Sequence, residues 1–576
     1  MGTAPNISVP GWTRQTNRFV WTGISQEVSF SATEGNQDIE VQQIEFTFQF
    51  LANFSGSGTE NDPYIIASTS DWDQLASSVS SGANYAGKYF RQTENISVTT
   101  MVGNSSYKFS GTYDGAGHTL TLTTSAGGDF KAPFRYAQNA TFMNLRTAGT
   151  INTVDKYAAG FVGRSEGAIT FINCRSSVTI NSTRNGDGTN GGFMGILENT
   201  PGYNVTFEGC VFDGQMQGAT TTCWGGFVGW SQNQNGIRVI LTNSLFAPSV
   251  LNIDNSVDDY GSATFVRGGN ENPIFSSITN SYYTEPVRYE QAKRAYSITA
   301  EAGLTVANAG TVTTYNVSGI TSYGTGILYG GVLYGGEDEE VSLNISGSSD
   351  YMASAGTLAG SANPYTLTMA AENTSIYGAL TLTANPDPNN PGTYYSTFYH
   401  SAVAYTLSAG VEAYVATISG DALILTKIAE GGQVIPKDNA VIFKANSGSI
   451  TLTPSDATPV SFEATNILRG VDAPTLVSDV VTSGTCYILS SGSNGVGFYT
   501  YAASNTLKAH KAYAVVSNSS GAPKKLRFVF EEEQTATGVE TVTGNPSPST
   551  EKVIRNGQLI IIRNGVEYSA DGKIVK

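Results

Sequence analysis

The chain has 576 residues, room for roughly three to five domains and several cores. Charged residues make up only 14 % and the net charge is −16, so nothing is left over to neutralise phosphates; a nucleic-acid partner is excluded and an anionic membrane surface disfavoured. No 18-residue apolar run exists, so no helix is expected to span a bilayer, and the four cysteines, Cys174, Cys210, Cys223 and Cys486, form no small disulfide framework.

Residues 1–50 read as strands: Phe19-Val20-Trp21, Val28-Ser29-Phe30-Ser31, and Ile39 to Phe50 with partial alternation. Two or three strands cannot close a sandwich. From Trp21-Thr22-Gly23 to Ile44-Glu45-Phe46-Thr47-Phe48 the segment resembles the last strands of a secreted jelly-roll module. The other reading is an N-terminal strand pair packed on the next domain. The start, Met1-Gly2-Thr3, lacks a basic and an apolar leader region; with so exported a composition, a leader removed upstream is expected.

Residues 51–290 carry a repeat. Gly160-Phe161-Val162-Gly163, Gly192-Phe193-Met194-Gly195 and Gly226-Phe227-Val228-Gly229 are followed by the degenerate Thr264-Phe265-Val266-Arg267, the phenylalanines spaced by 32, 34 and 38 residues. A second beat follows 10 to 14 residues later at Phe171, Phe207, Leu241 and Ile278. Such a period dictates stacked coils, because one coil cannot bury its apolar face alone. Phe161, Phe193, Phe227 and Phe265 should form one interior ladder, and Phe171, Phe207, Leu241 and Ile278 the other. Asn173, Asn243 and Asn280 suit a left-handed corner. Ahead of the repeat, Ser70 with Asp73 three residues on predicts a helix start, and Trp72, Leu75, Ala76 and Val79 its apolar stripe. That helix would cap the first coil.

The Gly56-to-Ile66 opening, this helix, the Phe109-to-Leu120 rung (Phe-Ser-Gly-Thr-Tyr-Asp-Gly-Ala-Gly-His-Thr-Leu) and the Gly-Phe-Val-Gly coils resemble, over about 54–285, the GLUG-type right-handed parallel β-helix proteins of bacterial surfaces. The resemblance implies a right-handed parallel β-helix on a Bacteroidetes cell surface.

Residues 291–376 read as a small Ig-like β-sandwich. Residues 377–533 read as a further β-rich module, similar to one found near the C-termini of secreted Bacteroidales proteins. Residues 534–551 are a Thr/Gly/Ser/Pro-rich linker. In 552–576 two Asn-Gly turns separate short apolar strands, a hairpin signal; the tail resembles the sorting domain of type IX secretion. The expected fold class is therefore all-β: a right-handed parallel β-helix, β-sandwich modules and a small C-terminal β-hairpin domain.

No catalytic constellation emerges. Asp258-Asp259 is the best local carboxylate pair, and it works only in a loop, since neighbours on a strand face opposite sides. With Trp230 and Tyr260 these are the candidate binding residues; the aromatics Trp224, Trp230, Tyr282 and Tyr283 stack on sugars or pack a coil end, packing being favoured. Asn185 to Asn190 is oxygen-rich, making Asp187 a candidate Ca2+ ligand, yet it lacks EF-hand spacing; a flexible turn is the default. Asp114-Gly115 suits a tight turn, and His118 a satisfied wall position. His118, His400 and His510 have no ligand spacing, which argues against zinc. Cys174 and Cys210 fall in equivalent places on successive coils, about 4.8 Å apart, so a disulfide and two buried thiols both fit. The expected function is a secreted, non-enzymatic adhesin binding an extracellular glycan or host matrix protein through the β-helix. The alternatives are a carbohydrate-active enzyme (polysaccharide lyase or glycoside hydrolase) and a structural surface spacer.

Overall fold

A computed structural model describes residues 54–197, 201–231, 236–256, 261–268, 274–492, 494–517 and 523–531, with shorter stretches toward both termini. About 4 % of it is helix and 53 % strand, so the protein is all-β. Among the described residues no helix is long and apolar enough to cross a membrane.

The helix runs Thr69–Ser80 and is capped by Ser68, whose Oγ accepts from the Asp71 amide. The Asp71 carboxylate in turn accepts from the Ala67 amide and the Ser68 hydroxyl. The cap expected at Ser70 is thus two residues early: Ser68-x-x-Asp71 and Ser70-x-x-Asp73 both fit the capping pattern, and Asp73 is instead taken by the Thr100 hydroxyl at 2.5 Å. The stripe stands. Trp72, Leu75, Ala76 and Val79 are buried, and the Trp72 ring meets Phe134 edge-on at 5.2 Å.

From Tyr64 to Arg294 the strands pair in parallel, coil to coil, in two 11-stranded sheets and one two-stranded sheet. Phe142, Phe171, Phe207, Leu241 and Ile278 share one register column. The expected ladders form: Phe161–Phe193 and Phe171–Phe207 each stack at 5.0 Å with 6° between planes, and the columns meet edge to face, Phe193 on Phe207 at 5.5 Å. Burial of each ring contributes about 1.5–3 kcal/mol. Phe212 and Phe246 make a further stack at 5.6 Å that the repeat did not announce. One ladder residue departs from expectation. Ile278 pairs with Leu241 but is 38 % exposed; among the described residues its strand, Phe275–Thr279, pairs only with Arg238–Thr242. The corner asparagines do adopt left-handed backbone, Asn173 at φ 53°, Asn243 at 50° and Asn280 at 45°, and Asn144 at 50° precedes them. They link up, Asn173 donating to Asn144 at 2.8 Å and Asn280 to Asn243 at 2.9 Å.

The last parallel strand of the stack, Lys293–Arg294, passes directly into the next module at Tyr296–Ala300. That module has a seven-stranded and a four-stranded sheet over a core of Ile298, Val341, Leu343, Leu367 and Ile376. It lies along the asparagine corner. Arg146 Nε donates to the Val317 carbonyl at 3.0 Å, and Asn173 Oδ1 accepts from the Val317 and Ser318 amides at 3.0 Å each. Tyr315 donates to Glu208 at 3.1 Å, Ser322 to Asn243 at 2.8 Å, and the Gly326 amide to Asn280 at 2.8 Å. A Cβ on Gly209 would strike the Tyr315 ring at 2.1 Å, so the corner position that lacks asparagine is where this ring seats.

Beyond it, a four-stranded sheet packs with a ten-stranded one over two adjoining cores, around Phe398, Tyr405 and Phe443 and around Leu423, Tyr487 and Phe498. The tail forms three antiparallel strands, Thr550–Arg555, Gln558–Arg563 and Val566–Ser569, in two-residue-loop register; residues 534–549 and both Asn-Gly pairs lie outside the described residues. Near the N-terminus Trp12–Gln15 pairs antiparallel with Arg18–Trp21; of the strand expected at 28–31 only Ser31 is described, in Ser31–Ala32 paired with Ile7–Ser8, and the strand expected at 39–50 lies outside the described residues.

Candidate functional site

The coil stack presents one column of mixed chemistry. Register places Tyr136, Arg164, Ile196 and Trp230 on four successive coils in line. Beside it Phe130 and Tyr157 stack at 4.7 Å with 6° between planes. Cations lie over these rings: Arg164 at 5.7 Å from Phe130, Lys156 at 5.9 Å from Tyr157, Arg267 at 4.6 Å from Trp230. The coil glycines make room for this. A Cβ on Gly229 would lie 2.4 Å from the Thr189 carbonyl of the preceding coil, whereas the degenerate fourth copy carries Arg267 at the matching position. The repeat's degeneracy is therefore what supplies a guanidinium.

Asp187 is the hub beneath. Thr189 Oγ1 donates to its Oδ1 at 2.6 Å, Lys156 pairs with Oδ2, and Arg267 Nη1 reaches Thr189 at 3.3 Å. Burial works to raise the carboxyl's pKa, but the hydrogen bonds from Lys156 and Thr189 and the charge of Arg267 hold it below the usual range. Burial pulls the Arg267 guanidinium down, opposed by Cys223 and Asp187. Both oxygens of Asp187 thus already have protein donors, and the segment expected as a flexible turn is a strand, Gly186–Gly191, paired in parallel with Thr221–Gly225. Its glycines and Asn190, fully buried with Oδ1 on the Ala158 amide, suit a crowded coil. That donor set does not suit Ca2+, which takes six to eight free oxygens.

Of the other sequence candidates, Asp258, Asp259 and Tyr260 lie outside the described residues. Trp224, Tyr282 and Tyr283 are buried packing residues. Asp114 turns the chain, accepting from the Ala116 amide at 2.9 Å and from Asn144 at 3.0 Å. Cys174 and Cys210 are buried free thiols, each turned to backbone carbonyls.

A second cluster joins Glu301 of one module to His400 and His510 of the next. Glu301 Oε1 lies 2.9 Å from His400 Nε2 and 3.4 Å from His510 Nε2, and the two rings stack at 5.0 Å with 4° between planes. The three ligand atoms lie within 4.8 Å of one another, so the trio must be tested as a metal centre. His400 Nδ1 accepts from the Ala402 and Val403 amides, both at 3.2 Å. A neutral ring accepting there carries its proton on Nε2, which then donates to Glu301 rather than ligating a metal. His510 Nδ1 faces the Tyr399 carbonyl at 3.3 Å, so both of its nitrogens point at oxygen. The arrangement is a hydrogen-bonded clasp between modules. With members about a hundred residues apart, it had no sequence signal at all.

No family model, no curated protein and no solved structure matches this chain.

Proposed function

We propose that the protein is a secreted or outer-surface, non-enzymatic adhesin whose coil stack is a right-handed parallel β-helix of the GLUG type that binds a glycan or a matrix protein. The carrying observation is the half-buried column of Arg164 and Trp230 with its flanking Phe130, Tyr157 and Lys156. Planar rings and charged planar groups at coil spacing suit the faces and hydroxyls of a sugar chain. Parallel crossovers are right-handed in about 98 % of cases, which supports the handedness. Hydrolysis would need two carboxylates free to flank a scissile bond. On this face Asp187 is taken by Lys156 and Thr189, and Glu166 by Lys108 at 3.3 Å and Arg164 at 3.5 Å; these pairings favour binding over catalysis. The tail fits an address for type IX secretion.

A glycan array with product analysis tests the reading. Retention of glycans without cleavage, weakened about tenfold by Trp230→Ala or Arg164→Ala, is expected from loss of one stacking or charged contact. Cleavage products would overturn the adhesin reading; silence on every glycan and matrix protein would leave the spacer.

A further inference from the structure

The ten-stranded sheet of residues 377–533 curls until its ends approach. Tyr394–Phe398 lies toward one end of the strand order and Lys511–Val516 toward the other. They meet through side chains: the Ala512 amide donates to Thr397 Oγ1 at 3.2 Å, and Lys511 Nζ donates to Ser396 Oγ at 3.0 Å and the Thr397 carbonyl at 3.3 Å. No ladder closes this seam among the described residues, and a cleft of about 610 Å3 opens along it. That volume suits a small ligand such as a disaccharide.

The lining is unusual for so acidic a chain. Lys511 and Lys508 both face the cleft, with Ser396, Ser490, Thr506 and Tyr501 around them. Among the described residues neither lysine makes an ion pair with a carboxylate; the acceptors of Lys511 are neutral. Burial and the neighbouring charge of Lys508 lower the pKa of the Lys511 ammonium. A partly buried cation beside a like charge is an unfavourable arrangement that an anion would relieve. In a protein of net charge −16, a carboxylate could have been supplied at little cost, and the seam holds hydroxyls instead.

We propose that this seam is a binding site for an acidic saccharide, Lys508 and Lys511 engaging a sugar carboxylate or sulfate ester while the hydroxyls and the Tyr501 ring engage the sugar. The site is separate from the coil face and does not depend on it. A free inorganic anion such as sulfate offers the same charge to the two lysines, so the source is decided by comparison.

Calorimetric titration of the full chain with digalacturonic acid, with neutral cellobiose and with sodium sulfate, each at low and high salt, tests it. The expected result is binding of digalacturonate that weakens with salt, with cellobiose weaker by about tenfold or more, the loss of charge-assisted hydrogen bonds. Lys508→Ala, at an exposed position, should weaken digalacturonate by about tenfold, and Lys511→Met should remove it. Sulfate binding as tightly as the disaccharide would overturn the proposal in favour of a simple anion site. Equal binding of cellobiose, absence of binding, or digalacturonate affinity insensitive to Lys508→Ala would also overturn it.

Discussion

Cys174 shows how the coil interior treats a reactive group. Burial pushes its thiol up to about 12, against backbone hydrogen bonds that work the other way, and Cys210 is raised well above its ordinary value by the same cause with Cys174 beside it. Only the thiolate is nucleophilic. Iodoacetamide should therefore leave both unmodified in the folded chain and label them only in denaturant, as mass spectrometry of tryptic peptides would read; labelling of native Cys174 at the rate of an exposed thiol would contradict the packing. The sequence placed both residues on adjacent coils, because the repeat spacing does so. It left disulfide and thiols open, since the direction of each Sγ depends on neighbours such as Phe142 and Phe171, whose carbonyls the two sulfurs face at 3.5 and 3.6 Å.

The ladders act at the level of the coil. Phe193 touches Phe161, Phe227, Phe171 and Phe207, so Phe193→Ala should cost about 3–5 kcal/mol. Ile278→Ala, in the same pattern but at the exposed last strand, should cost less than about 1 kcal/mol. Urea unfolding followed by tryptophan fluorescence measures both, and near-equal losses would mean the last coil is covered in solution. Periodicity made the ladder legible and hid its end, because a pattern does not say which copy is last. The capping helix was legible from its stripe, yet two equivalent Ser-x-x-Asp frames blurred its start. Asp187 was singled out for its oxygen-rich surroundings; what it does there depends, beyond its strand neighbour Thr189, on Lys156 and Arg267, brought in from separate coils, which no local motif encodes.

Across the whole molecule, junctions are set by a few polar side chains. Glu301 is nine-tenths buried and faces both histidines of the clasp. Glu301→Gln should destabilise that junction by about 1.5–3 kcal/mol, the usual worth of hydrogen bonds to a charged group. Chemical denaturation and small-angle scattering would show it as an earlier transition and a broader spread of shapes. An unchanged midpoint would mean that the clasp holds nothing. The clasp was not readable in the sequence, because it arises only when Tyr296–Ala300 pairs beside Thr374–Gly378 and so carries Glu301 to His400 and His510.

The asparagine corner bears on how the coils unfold. A solenoid ordinarily behaves as a one-dimensional chain of neighbours in which end repeats fray independently. Here residues 315–326 hold Arg146, Asn173, Glu208, Asn243 and Asn280, one from each of five successive coils. No coil in that run can open without breaking a bond to the same strap. Fraying is thereby converted into a shared event: amide exchange along these coils should share one opening free energy, and tension along the stack axis should meet a single yield point instead of a staircase.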